Sequence, residues 1–465
     1  MNAHPKAKTC LLRKPPACGS TVGARSAAAD APELRRHYTV VAFVEFAMDL
    51  LRICRKSALA LFFLSCLTAS VCHAQSHGVL CREGAGDFEA EYPAGVKVSV
   101  GPARNAELEA RVCKATLSWG DQNLEVTDAA AQVDIDAFGV DLGVGVPVVA
   151  LQTKESKLDC CMVYKIYSLR APPVLLRSIT GGEYFSAADT DLVGRIEIWT
   201  DDAAAVEGFE NFPLRDLDFP PPMVLRFLRG RLLDASSEFQ PYFDQKIADE
   251  RAKLNPQDLG DFKSSDGKLE SAAALPKGWL LRLRGVKMKV LEIVWSYLYS
   301  GREQEAWRSL AEMWPAADFD RIRAAILDAR ARGIRSQVDG VSNAVRTGHE
   351  IRTKIFDGTV SVVAMPGGLG PKGVKPKPEI IQPRAILMER IPPMTVYEIE
   401  LSQSESELEL VIDSAGKVRS VEVLGDLQNI DEGLVQSTSN WKFIPAYSEG
   451  EPVASRIMLG VSLRR

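Results

Sequence analysis

Residues 408–465 read LELVIDSAGKVRSVEVLGDLQNIDEGLVQSTSNWKFIPAYSEGEPVASRIMLGVSLRR, and this stretch sets the arrangement of the chain's end. Leu408, Leu410 and Ile412 alternate with Glu409 and Val411, the two-residue period of a strand. Asp413-Ser414-Ala415-Gly416 reads as a turn, because glycine takes positive φ at no steric cost. Val418, Val421 and Val423 mark the return strand, and Asp431 to Ser439 a short helix with an acid near its start, where the helix dipole favours one. Trp441 to Ala446 is expected to be a strand stopped at Pro445, Gly450 to Val453 a turn, and Ile457 to Leu463 the closing strand.

Three signatures in this stretch resemble the C-terminal domain of the TonB family. They are the Asp-x-x-Gly-x-Val turn (Asp413, Gly416, Val418), the Trp-x-Phe-x-Pro-Ala strand (Trp441, Phe443, Pro445, Ala446) and the Gly-x-Pro-Val turn (Gly450, Pro452, Val453). The resemblance implies a small α/β domain of antiparallel strands and a helix. It also implies a periplasmic setting and a partner, an envelope or outer-membrane protein, whose extended segment joins the sheet by strand addition. The edge it implies is the closing strand, Ile457, Met458, Leu459, Gly460, Val461, Ser462 and Leu463. Trp441 and Phe443 share one strand face and are expected in the core.

The chain has 465 residues, 46% hydrophobic and 25% charged, and is long enough for two or three folded domains. Ten Lys and Arg against four Asp and Glu give residues 1–74 a net charge of +6, and the whole-chain −5 then leaves −11 for the rest. A body that acidic carries no basic footprint for nucleic acid. Arg52, Arg55 and Lys56 precede an apolar run from Ala58 to Val71, and Cys72-His73-Ala74 supplies small residues before a cut at Gln75. That layout predicts a secretory signal over 48–74, with residues 1–47 an extension upstream of a start at Met48. A disordered extension, an uncleaved anchor, and a lipoprotein cut before Cys66 are the alternatives. Membrane association is expected only if the segment is retained or lipidated.

Export into an oxidising compartment makes Cys81, Cys113, Cys160 and Cys161 candidates for disulfides. Cys160 and Cys161 look like neighbours on one strand, where their side chains face opposite ways and one is left as a buried thiol. No zinc-ligand spacing occurs, and only His77 and His349 follow the signal.

The expected fold class is α+β and multi-domain. A β-rich domain of sandwich or barrel type spans 75–235, a helical region 236–348, a Pro/Gly/Lys linker 349–389 and the TonB-like domain 390–465. Alternation marks strands at Val96 to Val100, Glu107 to Trp119, Val146 to Thr153, Met162 to Ile179 and Arg195 to Thr200. Helices are expected over Phe239 to Leu254, Val286 to Tyr299, Glu303 to Trp314 and Phe319 to Arg332.

Two local patterns point to binding. Asp189, Asp191 and Glu197 flank Gly194 in the manner of a loop around a hard cation such as Ca²⁺, although Val193 stands where a ligand oxygen belongs. The plainer alternative is a solvated turn, and no other cofactor is expected. Tyr297 to Trp314 resembles one tetratricopeptide-type helical hairpin, implying a peptide groove. Ordinary packing, with Trp295, Trp307 and Trp314 as core, is the alternative. There is no nucleophile elbow, phosphate loop or dinucleotide fingerprint, so no catalytic residue is assigned. Asp201-Asp202 is read as solvated surface. The expected function is an exported, non-enzymatic envelope protein binding its partner through the C-terminal domain, with TonB-type transport or energy coupling as its possible context. The alternative is a periplasmic or carbohydrate-processing enzyme with its site in the β-rich domain.

Overall fold

The computed structural model describes residues 79–105, 110–156, 160–217, 219–269, 277–342, 356–357, 380–381, 383–387, 406–424 and 432–461. The extension, the signal segment and its cut, most of the linker, and Ser462 and Leu463 lie outside the described residues. The described part is mixed α/β and rich in antiparallel sheet. Among the described residues no helix is long and apolar enough to cross a membrane.

Nine strands open the fold: β1 (Cys81–Arg82), β2 (Phe88–Tyr92), β3 (Val96–Asn105), β4 (Ala110–Trp119), β5 (Gln122–Ala130), β6 (Gln132–Val140), β7 (Val148–Lys154), β8 (Met162–Ser168) and β9 (Leu175–Gly182). They form one sheet in the order β2-β3-β4-β5 and a second in the order β1-β6-β7-β8-β9. Their facing sides make a sandwich core. Val96, Val98 and Val100 from β3 and Leu117 from β4 meet Val133, Ile135 and Phe138 from β6 and Leu151 from β7. A Cys81–Cys113 disulfide ties β1 to β4, and so one sheet to the other.

Strands β6 and β7 of the second sheet are buried on both faces, which is why β7 opens with four consecutive apolar residues, Val148 to Leu151, rather than an alternating pattern. Its far side, with Ala150, Tyr164 and Ile166, packs on a third sheet, β10 (Phe185–Ala188), β11 (Glu197–Asp201), β12 (Pro222–Leu228), β13 (Arg231–Asp234) and β14 (Gly340–Val341), joined in that order. The helices Gln240–Lys253, Glu303–Met313 and Phe319–Arg332 lie close to the expected spans, the helix Lys277–Tyr299 starts nine residues before the expected Val286, and a further helix, Pro256–Lys263, was not expected; they share this core through Phe243, Phe262, Val290, Trp295, Leu310 and Ile322. The boundary drawn at Ala235 thus falls within one hydrophobic core. The helical hairpin turns at Ser300-Gly301-Arg302, where Arg302 N donates to Tyr297 O (2.9 Å) and Gly301 N to Leu298 O (3.2 Å), a Schellman ending. Trp295 and Trp314 are buried; Trp307 is half-buried and donates to Glu303.

Nine short strands follow among the described residues: β15 (Phe356–Asp357), β16 (Ile380–Ile381), β17 (Arg384–Leu387), β18 (Ser406–Ile412), β19 (Val418–Leu424), β20 (Lys442–Ile444), β21 (Ala446–Ser448), β22 (Glu451–Val453) and β23 (Ser455–Val461). β18 and β19 form the expected hairpin, and β23 returns antiparallel to β18 with Leu408 opposite Leu459. Leu408, Leu410, Ile412, Trp441, Phe443, Ile457 and Leu459 make a small separate core. Two differences from the sequence reading have physical causes. The strand expected over 441–446 divides at Pro445, so β20 pairs with β17 while β21 pairs with β16 and β22. The end of the expected linker is strand, because Ile386 finds room in the sandwich core.

Cys160 and Cys161 correct the expectation of opposed side chains. They are bonded to each other, just ahead of β8, where Cys161 has φ of 87° and the chain is not extended.

Removing the Cys81–Cys113 bond is expected to cost roughly 2–4 kcal/mol, since it closes a long loop in the unfolded chain. The urea midpoint of a Cys81→Ala/Cys113→Ala variant reads this directly; an unchanged midpoint counts against an inter-sheet tie.

Candidate partner-binding edge and the charge clasp behind it

The sheet order β15-β23-β18-β19 leaves β23 close to an edge. β15 pairs with it, in parallel, only at Ser455 and Arg456. From Ile457 to Val461 the side of β23 away from β18 has no strand neighbour among the described residues. Ile457 and Leu459 point into the small core, Met458 is half-buried on the other face, and Arg456 pairs with Glu409 at 3.1 Å. The backbone ladder is therefore what this strand offers outward.

The turn between β18 and β19 is organised by Asp413. Its carboxylate accepts from Ala415 N (2.9 Å) and Lys417 N (2.8 Å) within the turn and from Asp189 N (3.0 Å) across the molecule. Gly416 has φ of 85°, and a Cβ there would lie 1.9 Å from Phe443 O; its own carbonyl accepts from Phe443 N at 2.9 Å. The Asp-x-x-Gly spacing thus lets the turn and the Trp-x-Phe strand meet backbone to backbone.

Two lysines flanking these motifs reach into the body. β6 carries two buried acids, Asp134 and Asp136. Lys442 Nζ pairs with Asp134, and Lys417 Nζ lies 2.5 Å from Asp136 Oδ1 and 2.7 Å from its carbonyl oxygen. The lysine side chains are only 9% and 11% exposed, so water does little to screen either pair. The carboxylate oxygens are otherwise satisfied: Gln152 shares Asp134 Oδ2 with the lysine (2.9 Å), Leu80 N donates to Asp134 Oδ1 (3.3 Å), and Tyr164 OH (2.6 Å) and Ala187 N (2.8 Å) donate to Asp136 Oδ2. Burial first, then Asp136, holds the Tyr164 hydroxyl well above its ordinary pKa. Tyr447 OH donates to Gly139 O at 2.8 Å, over a position where any Cβ would collide with the phenol. A cavity of about 40 Å³ beside Asp136, Lys417 and Trp441 has room for water and no organic ligand.

The structure does not gather the three residues of the cation loop. Asp189 accepts from Val193 N and Gly194 N, both at 2.9 Å, and from Ser414 Oγ at 3.0 Å, which makes it a turn cap and a seat for the hairpin. Glu197 is fully buried against Arg226 at 2.9 Å, and Arg226 also holds Glu238. Asp191 lies between them in the loop without joining them as a shared ligand set among the described residues. The group that does cluster, Cys160, Cys161 and Glu207, has its sulfurs in a disulfide. Asp201 and Asp202 correct the solvated-surface reading, because both are buried. Asp202 accepts from Tyr299 OH (2.5 Å) and Ile334 N (2.8 Å), and Asp201 accepts from Glu183 N (2.8 Å) with its pKa pushed up to about 7 by burial.

Sequence reasoning missed Asp134, Asp136, Lys417 and Lys442 altogether. The available signal was a pair of acids two apart in an otherwise apolar segment, QVDIDAFGV, and a lysine inside two of the three signatures quoted above.

No family model, curated protein or solved structure matches the chain.

Lys442→Met leaves Asp134 buried without its counter-charge and is expected to cost about 3–5 kcal/mol in urea unfolding. Adding Asp134→Leu should recover much of that loss; a single-variant cost under about 1 kcal/mol contradicts a buried pair.

Burial pushes the Asp413 carboxyl up to about 7, against the lowering effect of its backbone bonds, Arg419 and Lys417. The unfolded chain titrates it near 4. The folded state therefore holds the extra proton between those values, and stability falls as pH rises from about 4 to about 7. The fall in thermal midpoint over that window should be shallower in Asp413→Asn than in the parent chain; equal slopes exclude Asp413 as a source.

Proposed function

We propose that the chain is an exported cell-envelope protein that binds a partner protein by adding the partner's extended segment to β23. The reading rests on the TonB-like signatures, and the observation that carries it is the outer ladder of Ile457 to Val461, which has no strand neighbour among the described residues. A strand added there gains main-chain hydrogen bonds while placing little demand on sequence. The clasp to β6 supports the same reading, since a sheet fixed on a large body pays less ordering entropy when a partner joins it. On this reading the protein is an adaptor with no catalytic residue, and the body carries the edge.

A photo-crosslinker at Met458 should trap an envelope partner in cells. Gly460→Pro removes a backbone donor and fixes φ, and is expected to abolish that product while circular dichroism stays that of the parent. Arg456→Ser should leave the product in place. Retention of the crosslink in folded Gly460→Pro contradicts strand addition at β23.

A further inference from the structure

A cleft of about 210 Å³ opens where the C-terminal end of the helix Lys277–Tyr299 meets the helix Phe319–Arg332 and the edge of the third sheet. Its distinguishing group is Arg330. The guanidinium gives one hydrogen bond, from Nη2 to Leu298 O at 2.9 Å, and stacks 5.4 Å from the Tyr299 ring centroid. Its Nε is buried and has no hydrogen-bond partner among the described residues. No carboxylate lies within ion-pair distance of it among those residues. Arg330 is half-buried, and a guanidinium partly withdrawn from water in this way lacks the counter-charge that such groups normally have.

The surrounding charges define what fits. Arg335 sits on the same wall and makes one long contact, 3.4 Å, to the buried Asp234. Asp234 is further engaged by Ser236 N at 3.0 Å. The inner wall is thus cationic in balance. The rim is acidic, for Glu303 is exposed there and uses only one oxygen, to accept from Trp307 Nε1 at 3.0 Å. Tyr299 has spent its hydroxyl on Asp202 and is buried beneath Arg330, so the apolar surface open to the cleft is the exposed Val341.

We propose that this cleft binds a free α-amino acid. The carboxylate pairs with Arg330 and Arg335, which supply the planar donor forks that carboxylates match. The ammonium faces Glu303, and the side chain lies against Val341. A phosphate dianion would meet both acids, and a simple amine would meet the guanidinium groups. The volume admits one residue and no longer peptide. The site is independent of the β23 edge and stands or falls separately from it.

The test is calorimetric titration of the full chain with each of the twenty common L-amino acids, and with acetate and methylammonium as half-ligands. At least one amino acid is expected to bind saturably, with each half-ligand at least tenfold weaker. Arg330→Gln should weaken binding tenfold or more. Because Arg330 also holds Leu298 O, Glu303→Gln on the exposed rim serves as the second variant, with a similar loss expected. Absence of binding by all twenty overturns the proposal, as does acetate binding equal to the amino acid's or unchanged affinity in Glu303→Gln.

Discussion

Asp134 and Asp136 on β6 are the point on which the relation between the two ends of the chain depends. A carboxylate taken out of water is costly unless it is paired and fully hydrogen-bonded. Here each acid is met by a lysine from the C-terminal segment and by neutral donors from the body. The consequence is geometric. Lys417 follows Gly416 in the β18–β19 turn, and Lys442 opens β20, where its neighbours Trp441 and Phe443 share the small core with β18 and β23, so pairing both fixes that core to the body at two points. Asp189, Asp413 and Ser414 then close the gap between the turn and the third sheet. Buried charge of this kind adds little net stability compared with apolar packing, but it makes misdocked arrangements expensive.

What was legible in the sequence was local. The alternation of Leu408, Leu410 and Ile412, the Asp413-to-Gly416 turn and the shared face of Trp441 and Phe443 all rest on contacts a few residues apart, and the period of a strand records them. The helices were legible for the same reason, and their caps place Glu303 and Phe319 at the expected starts. The clasp was not legible, because its partners lie 281 and 308 residues apart. Acids alternating with Val133 and Ile135 imply a solvated strand face unless a distant lysine is known. Asp201 and Asp202 were misread for the same reason, since Tyr299 and Ile334 come from far along the chain. Cys160 and Cys161 failed differently: a positive φ just ahead of β8 breaks the strand that would have separated them.

The two binding features draw on different physics. The β23 edge offers backbone groups and so accepts a wide range of sequences. The cleft beside Arg330 offers a fixed pattern of charge around a small volume and so selects by chemistry. Their supports are also separate: the edge hangs on the small core of Trp441 and Phe443, the cleft on the helices around Trp295 and Ile322.

The C-terminal core is fixed to the body through β6, while one side of β23 from Ile457 to Val461 has no strand neighbour among the described residues. Amide hydrogen exchange on the full chain reads both parts at once. Slow exchange is expected at β6 and at the Asp413-to-Lys417 turn, with alternating fast and slow amides from Ile457 to Val461 as successive N–H groups face outward and inward. Uniform protection along β23 would mean that the edge is already covered, and fast exchange at the turn would mean that the clasp is open.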